Sequence, residues 1–240
     1  MYFWNYLEKN LWNNKLSYNE RKKLWSSLKL FVPNILEFDF LNKDILENNL
    51  SIWEEIVFEE VLDWKLHSKK WLKNYITWKI WNSQVCIFDN HNVAFYFIGE
   101  YFLKKWKSLD LIHIDQHSDM YEPDFYLNKF NNLYDIEKYT FEWLNVWNYL
   151  LPLQKLWFIK DIYQKRTQIW VLELDNSLAE NSILNIDLDF WEENMSTDEK
   201  SLLKIKKFIW KSPLILFATS PYFIEQQRAI ELVKKILFDF

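Results

Sequence analysis

Hydrophobic residues follow two different patterns before and after about residue 83. Between Ile45 and Trp81 they recur at helical spacing, with acids and lysines between them. Apolar positions of this kind are Ile56, Val57, Val61, Leu62, Trp64 and Leu66. Further upstream, Ser17-Tyr18-Asn19-Glu20 has the form of a capping box and predicts a helix that ends near Pro33. We therefore expect residues 1–82 to form a mostly helical N-terminal extension packed on the rest of the chain.

From Gln84 onward, short apolar runs typical of strands alternate with amphipathic stretches typical of helices. The predicted strands are 85–88, 109–114, 156–159, 169–174, 182–186 and 213–218, and the predicted helices are 93–107, 140–151, 196–210 and 222–237. This alternation indicates an α/β fold with a mostly parallel sheet flanked by helices. Residues 83–240 are the expected core domain. In such sheets, ligands bind beyond the carboxyl ends of the strands.

Residues that commonly bind metals follow two of the predicted strands. Asp115, His117 and Asp119 come directly after the strand 109–114, and Asp187 and Asp189 close the strand 182–186. Each set has a spacing of two, so its side chains project to one side if the chain stays extended. Four adjacent carboxylates repel one another, and their charge matches that of two divalent cations. The sequence therefore predicts a metal centre of a hydrolase.

Two further histidines lie close to these strand ends. His91 comes three residues after the first predicted strand, and a crossover of this length would bring it near Asp115, where it completes a six-ligand set. Taken alone, a histidine in such a turn is more often a capping or hydrogen-bonding residue. His113 is either a partner of a metal ligand or, more simply, a core histidine. The alternative for the residues after Ile114 is a polar turn in which Asp119 caps the next segment.

Composition excludes several classes of function. Half of the 240 residues are apolar, which is enough for a sizeable core, and the net charge is −5 with both signs mixed along the chain. This charge pattern disfavours nucleic acid and suits a cationic substrate. Gly99 is the only glycine, so ATP-type and NAD-type phosphate loops are excluded. Cys86 is the only cysteine, so histidine and carboxylate must hold any metal.

No sequence signal points to a membrane or to secretion. No stretch approaches the roughly 20 apolar residues of a membrane helix, and residues 1–16 lack a signal-peptide core. We therefore expect a cytoplasmic protein. The 15 tryptophans are interpreted as core material, with a wide aromatic groove for a peptide as the alternative.

The order of these residues resembles a known family. Four segments within residues 84–240 carry the resemblance: Phe88-Asp89-Asn90-His91, His113-Ile114-Asp115-Gln116-His117-Ser118-Asp119, Asn185-Ile186-Asp187-Leu188-Asp189-Phe190 and Thr219-Ser220-Pro221. They are similar to the ureohydrolases, which include arginases and agmatinases. The similarity is greatest to a small divergent group containing peptide arginases, which convert arginine side chains of ribosomally made peptides to ornithine. The resemblance implies the three-layer ureohydrolase fold.

The resemblance also implies roles for individual residues. Two metals would be bridged by Asp115 and Asp187, with one shell completed by His91 and Asp119 and the other by His117 and Asp189. Oxygen-rich ligands with two imidazoles suit two Mn²⁺ ions, with Fe²⁺ or Co²⁺ as alternatives. A hydroxide generated there would attack the guanidinium carbon, and Asp119 would pass the proton to the departing amine. Glu225 would hold the guanidinium, unless it is an exposed first-turn glutamate stabilised by the helix dipole.

One departure from the family bears on the substrate. Enzymes acting on free arginine carry a polar loop with a further histidine, whereas this chain reads Met120-Tyr121-Glu122-Pro123-Asp124-Phe125 and has no histidine after His117. We expect a more open mouth and, as substrate, an arginine within a peptide, cleaved to ornithine and urea. The alternatives are a hydrolase of a free guanidine compound, a metal-dependent deacetylase-like enzyme and a non-catalytic peptide-binding module. The oligomeric state is not predicted.

Overall fold

The computed structural model describes residues 3, 5–8, 29–40, 42–62, 65–80, 82–191 and 198–238. Its strands are β1 (Asn5–Glu8), β2 (Lys29–Val32), β3 (Asn34–Phe38), β4 (Ile52–Leu62), β5 (Lys65–Leu72), β6 (Asn74–Ile80), β7 (Ser83–Phe88), β8 (Leu109–Ile114), β9 (Ile159–Lys165), β10 (Ser182–Asp187) and β11 (Leu214–Ala218). Its α-helices are α1 (Lys43–Asn49), α2 (Val93–Lys105), α3 (Leu133–Glu142), α4 (Leu150–Lys155), α5 (Gln168–Leu172), α6 (Glu199–Ile209) and α7 (Gln226–Phe238).

Seven strands form the central sheet, in the order β3-β6-β7-β11-β10-β8-β9. The five strands from β7 to β9 in this order are parallel, whereas β6 pairs antiparallel with β7 and parallel with β3. The chain leaves β8 toward β9 and leaves β10 in the opposite direction, toward β11. Strands β8 and β10 therefore flank a topological switch point, where α/β sheets bind their ligands.

Helices cover both faces of the sheet because successive strand residues point to opposite sides. On one face, Cys86 and Phe88 pack in a core shared with α2, α3 and α4. On the other, Val85 and Ile87 pack in a core shared with α1, α6 and α7. The predicted α/β fold with a mostly parallel sheet flanked by helices is thereby confirmed. Among the described residues, no helix is both long and apolar enough to cross a bilayer.

The prediction of a mostly helical segment 1–82 is wrong for the described part of it. This part contains the strands β1 to β6 and the single helix α1, and the end of the helix predicted from Ser17–Glu20 is the strand β2; the capping box itself lies outside the described residues. In β4, glutamates at 54–55 and 59–60 imitate a helical period. Register shifts near Ile56 break the alternation that would have revealed a strand. The antiparallel pair β6 and β7 also carries the sheet across the predicted boundary at residue 82.

The core segment matches the predicted elements except in its middle. Residues 169–174, predicted as a strand, contain the helix α5, which Thr167 caps by accepting the N–H of Trp170 at 3.3 Å. The strand predicted at 156–159 is β9, which begins at Ile159. The predicted helix 140–151 is divided between α3 and α4. Asn145 and Asn148 build the intervening turn, since the amide oxygen of Asn148 accepts the backbone N–H of Asn145 at 2.8 Å.

Candidate metal centre

All six predicted metal ligands lie at or beyond the carboxyl ends of parallel strands. His91 lies in the turn between β7 and α2, and Asp115 directly follows β8. Asp187 ends β10, and Asp189 lies in the 3-10 helix Leu188–Trp191. The crossover through α2 does not join neighbouring strands, because β11 and β10 lie between β7 and β8. His91 nevertheless contacts residues at the ends of both β8 and β10.

The inner group of ligands consists of His91, Asp119 and Asp187 around the carboxylate of Asp115. Nδ1 of His91 lies 3.1 Å from Oδ2 of Asp115, 3.0 Å from Oδ2 of Asp119 and 3.0 Å from Oδ2 of Asp187. Each of these four side chains is at most 4 % exposed. Three carboxylates thus converge on one imidazole nitrogen in a site closed to solvent.

The outer group consists of His117 and Asp189, and it shares Asp115 with the inner group. Nδ1 of His117 lies 3.3 Å from Oδ1 of Asp115 and 3.2 Å from Oδ2 of Asp189. The two oxygens of Asp115 therefore face different groups. This arrangement is compatible with a carboxylate that bridges two cations, and the bridging role of Asp115 stays a prediction. Asp187 contacts the inner group through Oδ2, while its Oδ1 accepts the N–H of Asp189 at 3.3 Å.

The sequence-based grouping of Asp115, His117 and Asp119 assumes that the chain stays extended after β8. The structure contradicts this assumption. The N–H of His117 donates to Oδ1 of Asp115 at 2.6 Å, which closes a tight turn. Asp119 then adopts the left-handed conformation with φ of 52°. Aspartate tolerates this region better than most residues, although holding a residue there costs about 1–3 kcal/mol. The turn, rather than strand alternation, brings the three side chains to one site.

Several buried polar atoms of the site make no well-aligned hydrogen bond among the described residues and contact one another only through the close carboxylate–imidazole approaches. They are Nδ1 and Nε2 of His91, Nε2 of His113, Oδ2 of Asp115, Oδ2 of Asp119 and both carboxylate oxygens of Asp189. Leaving a charged group in this condition is costly. Two sets of side chains have ligand atoms close enough to hold a metal ion: His91, His113 and Asp115, and Asp115, His117 and Asp189. These buried clusters could hold a metal ion, and a cation would satisfy the unpaired atoms.

The pKa shifts of the cluster also indicate that it requires positive charge. Burial raises the pKa of Asp119 well above its usual range, and the charge of Asp115 raises it further. Burial and the neighbouring Asp187 likewise raise the pKa of Asp189. Burial by itself lowers the pKa of His117, but its two carboxylate contacts outweigh burial and raise the pKa to about 10. Protons therefore accumulate in the cluster in the absence of a cation.

His113 is buried directly behind the inner group. Its Nε2 lies 3.4 Å from Oδ2 of Asp115, and its ring stacks on that of His91 with 5.2 Å between centroids. Its Nδ1 lies 3.1 Å from the amide nitrogen of Asn185, which also donates to the hydroxyl of Tyr149 at 2.8 Å. Burial lowers the pKa of His113 to about 3, so the ring is neutral. His113 is both a core histidine and a neighbour of a ligand, so the two predicted roles are compatible.

Strand β9 holds the ligand turn from the outside. Gln164 donates to the carbonyl of Ser118 at 2.7 Å, and Arg166 donates to the carbonyl of Gln116 at 2.8 Å. The side chain of Gln116 donates in turn to the carbonyl of Asp189 at 3.1 Å. Sequence reasoning missed Gln164, Arg166 and Tyr149, because nothing in the local sequence marks them. Asn185 lies two residues before Asp187, within one of the four segments that carry the family resemblance. That position was the signal that could have identified it.

Solvent reaches the centre only at the outer group. Among the six ligands, His117 has the most exposed side chain, at 24 %. Its ring lies 4.6 Å from that of Trp147 and 5.1 Å from that of Phe223, measured between centroids. Tyr121 stacks on the outer side of Trp147 at 5.9 Å. The solvent-exposed side of the outer group is therefore bordered by aromatic rings, which pack T-shaped or tilted against His117.

Glu225 lies at the start of α7 and is exposed. Its Oε1 accepts the N–H of Gln227 at 3.0 Å, and its Oε2 accepts the N–H of Arg228 at 2.8 Å. This is the contact pattern of a helix cap, the alternative interpretation of this residue. The structure does not bring Glu225 into contact with the six ligands, and its role in holding a guanidinium stays a prediction.

No protein-family model, curated protein or solved structure matches this chain. What the chain does must therefore be inferred from its own geometry.

Proposed function

We propose that this protein is a dimetal hydrolase that cleaves the guanidinium group of arginine residues in a peptide, giving ornithine and urea. The observation that carries the proposal is the convergence of four carboxylates, including the shared Asp115, with two imidazoles in a largely buried cluster. We propose two Mn²⁺ ions as the occupants, with Fe²⁺ or Co²⁺ as alternatives, because oxygen-rich sets favour these metals. When bound, such metals lower the pKa of water so that hydroxide is present near neutral pH.

The residues of the chain account for the remaining steps. Hydrolysis breaks the bond between the guanidinium carbon and the side-chain Nε; the water oxygen becomes that of urea, and both water protons end on the departing amine. Asp119 is the residue we assign to this proton transfer. It is buried and lies 3.0 Å from Nδ1 of His91, and burial favours the protonated form of a carboxyl, which can then carry a proton. Trp147 and Phe223 would hold the planar cation beside His117.

A peptide is favoured over free arginine by the segment that comes after the ligand turn. Residues 120–130 have no helix or strand, and Tyr121 and Phe125 in it are exposed at 61 % and 42 %. The segment contains no histidine that could grip the α-amino and α-carboxylate groups of a free amino acid. An exposed aromatic surface beside the mouth suits a longer chain.

The test is urea release by the Mn²⁺-loaded protein from an arginine-containing peptide and from free arginine, with metal counted in the same sample. We expect urea from the peptide and two metals per chain. Activity on free arginine alone would exclude the peptide substrate. Full biological effect of the Asp119→Asn and His91→Ala variants would instead favour a non-catalytic peptide-binding module.

A second candidate is a one-metal, deacetylase-like hydrolase, which the stacking of His113 on His91 favours. Together with Asp115, these histidines form a two-imidazole, one-carboxylate set that resembles zinc ligation more than manganese ligation. One zinc per chain and acetate release from an acetylated peptide would establish this reaction. Two metals and urea would exclude it.

A further inference from the structure

A cavity of about 400 Å³ is lined in part by Phe223, an aromatic neighbour of His117. It is bounded by the first residue of β4, by β5 and by the segment that joins β11 to α7. The ring of Phe223 thus forms part of its wall and also lies 5.1 Å from the ring of His117, the ligand that solvent reaches. A substrate whose reacting group lies at His117 can therefore extend past Phe223 into this cavity.

The charged groups around the cavity favour an anion. Lys69 and Lys70 line it, and neither forms an ion pair with a residue whose side chain the structure describes. Among the lining residues with described side chains, the third charged one is Glu225, whose two carboxylate oxygens accept backbone N–H groups at the start of α7. Its charge is thereby partly balanced by the helix terminus. Lys69 and Lys70 thus place positive charge at this cavity in a protein of net charge −5.

We infer that this cavity binds a carboxylate of the substrate, adjacent to the arginine that is hydrolysed. The inference rests on the proposed function in that the carboxylate belongs to the same substrate. It names the substrate class more closely: a peptide with an acidic residue, or with its terminal carboxylate, near the arginine. A carboxylate paired with two lysines beside a partly closed cavity gains affinity, and this gain is sensitive to salt.

The experiment compares matched substrates with the Mn²⁺-loaded, full-length protein. One peptide carries arginine with an aspartate at successive positions on either side, and its counterpart carries asparagine. Each peptide is made with a free and with an amidated C-terminus, and free arginine is compared with agmatine, which lacks the carboxylate. We expect kcat/KM for urea release to be about tenfold higher for the aspartate peptide at the best position, which corresponds to about 1.4 kcal/mol.

The variants Lys69→Gln and Lys70→Gln, singly and together, locate the effect. The double variant should lose the tenfold preference through KM, with kcat unchanged, and act on the asparagine peptide like the native protein. Lys107→Gln is the matched control, because Lys107 is exposed and lies just before β8, at the end of that strand opposite to Asp115. Raising salt from about 0.1 M to about 1 M shortens the Debye length from about 10 Å to about 3 Å and should reduce the preference in the native protein.

Binding of the same peptides, measured by calorimetry, separates this inference from the proposed function. If no peptide releases urea but the aspartate peptide binds more tightly in a lysine-dependent manner, the reaction is wrong and the anion site stands. If urea is released while aspartate and asparagine peptides, both C-terminal forms, and arginine and agmatine perform equally in both assays, the reaction stands and the anion site is wrong.

Discussion

The inner and outer groups of the candidate metal centre share Asp115 but have different surroundings. The inner group is closed to solvent and backed by His113, Asn185 and Tyr149. The outer group opens to solvent at His117, beside Trp147 and Phe223. Asp115 thus lies between a group of side chains that is closed to solvent and one that solvent reaches. On the basis of this difference we propose that the inner group handles the proton and that the outer group contacts the substrate.

The largest expected effect is on kcat for urea release. One matched pair of substitutions distinguishes the two groups. Asp119→Asn should lower kcat for urea release by about 10²–10⁴, because it removes the proton carrier. Asparagine tolerates the left-handed backbone of residue 119, so the fold should persist. Asp189→Asn removes an outer ligand and should weaken metal binding, and excess Mn²⁺ should then restore most of the activity. Steady-state kinetics with metal titration measures both.

The control for these variants is Asp161→Asn, which neutralises an exposed carboxylate on β9. It should leave kcat, KM and metal content unchanged. If excess Mn²⁺ restores the Asp119 variant as fully as the Asp189 variant, both residues act as ligands only. The assignment of proton transfer to the inner group and of substrate contact to the outer group would then be wrong.

Removal of the metal should have the next largest effect, on stability. At a metal concentration of about 100 times Kd, a site stabilises the native state by about 2.7 kcal/mol. For a chain of this size, this corresponds to a fall in Tm of about 5–10 °C on chelation. We expect the outer metal to leave first in a chelator titration, because its ligands are more exposed. Calorimetry with parallel metal analysis measures this, and an unchanged Tm would mean that the site is empty.

The pH dependence of stability should differ between the metal-free and the loaded protein. In the metal-free protein the pKa of His117 is raised from 6.5 to about 10, so its stabilising contribution is complete below about pH 6.5 and is lost as the pH rises through about 10. The raised pKa values of Asp119 and Asp189 also make stability fall as the pH rises. Metal binding, in contrast, strengthens as ligands lose protons. The difference in Tm between the two forms should widen from about pH 6 to about pH 9, measured by calorimetry; a constant difference would contradict it.

The smallest expected effect concerns Glu225, which lies outside both groups. Glu225→Ala should destabilise the protein by about 1 kcal/mol through loss of the helix cap, whereas Glu225→Asn should retain the cap and the stability. Thermal unfolding and the kinetics of urea release of both variants measure this. If the asparagine variant is stable but has a raised KM for the peptide, Glu225 holds the guanidinium as the family resemblance implies.

The sequence was informative where strands are buried on both faces. The strands β7, β8, β10 and β11 are short apolar runs between polar turns, and such runs can be identified locally. The four aspartates of the candidate centre could be singled out for a related reason, since carboxylates at the ends of buried strands have few other uses, and their role as ligands stays a prediction. The prediction of helices in residues 1–82 failed for the described part. The pairing of β4 with β5 and its register shifts are decided by tertiary contacts, and these overrode the helical period of the sequence.

The remaining features depend on contacts between distant segments. Tyr149 and Gln164 reach the centre from the start of α4 and from β9, and no local pattern shows that their hydroxyl and amide groups face it. The strand order could not be predicted either, because the length of α2 does not reveal that it crosses two intervening strands. The aromatic neighbours of His117 come from residues 147 and 223, which are far apart in the sequence.

The three segments that meet at the candidate metal centre also determine how the chain would unfold. Residues 91, 115–119 and 187–189 are separated by 24 and 68 positions, so a bound metal would act as a cross-link that closes two long loops. Unfolding of the loaded protein must open this cross-link, and the exposure of cleavable chain to a protease then depends on free metal. We expect the half-life under proteolysis to lengthen with Mn²⁺ concentration, so that metal supply would control the abundance of the protein as well as its activity.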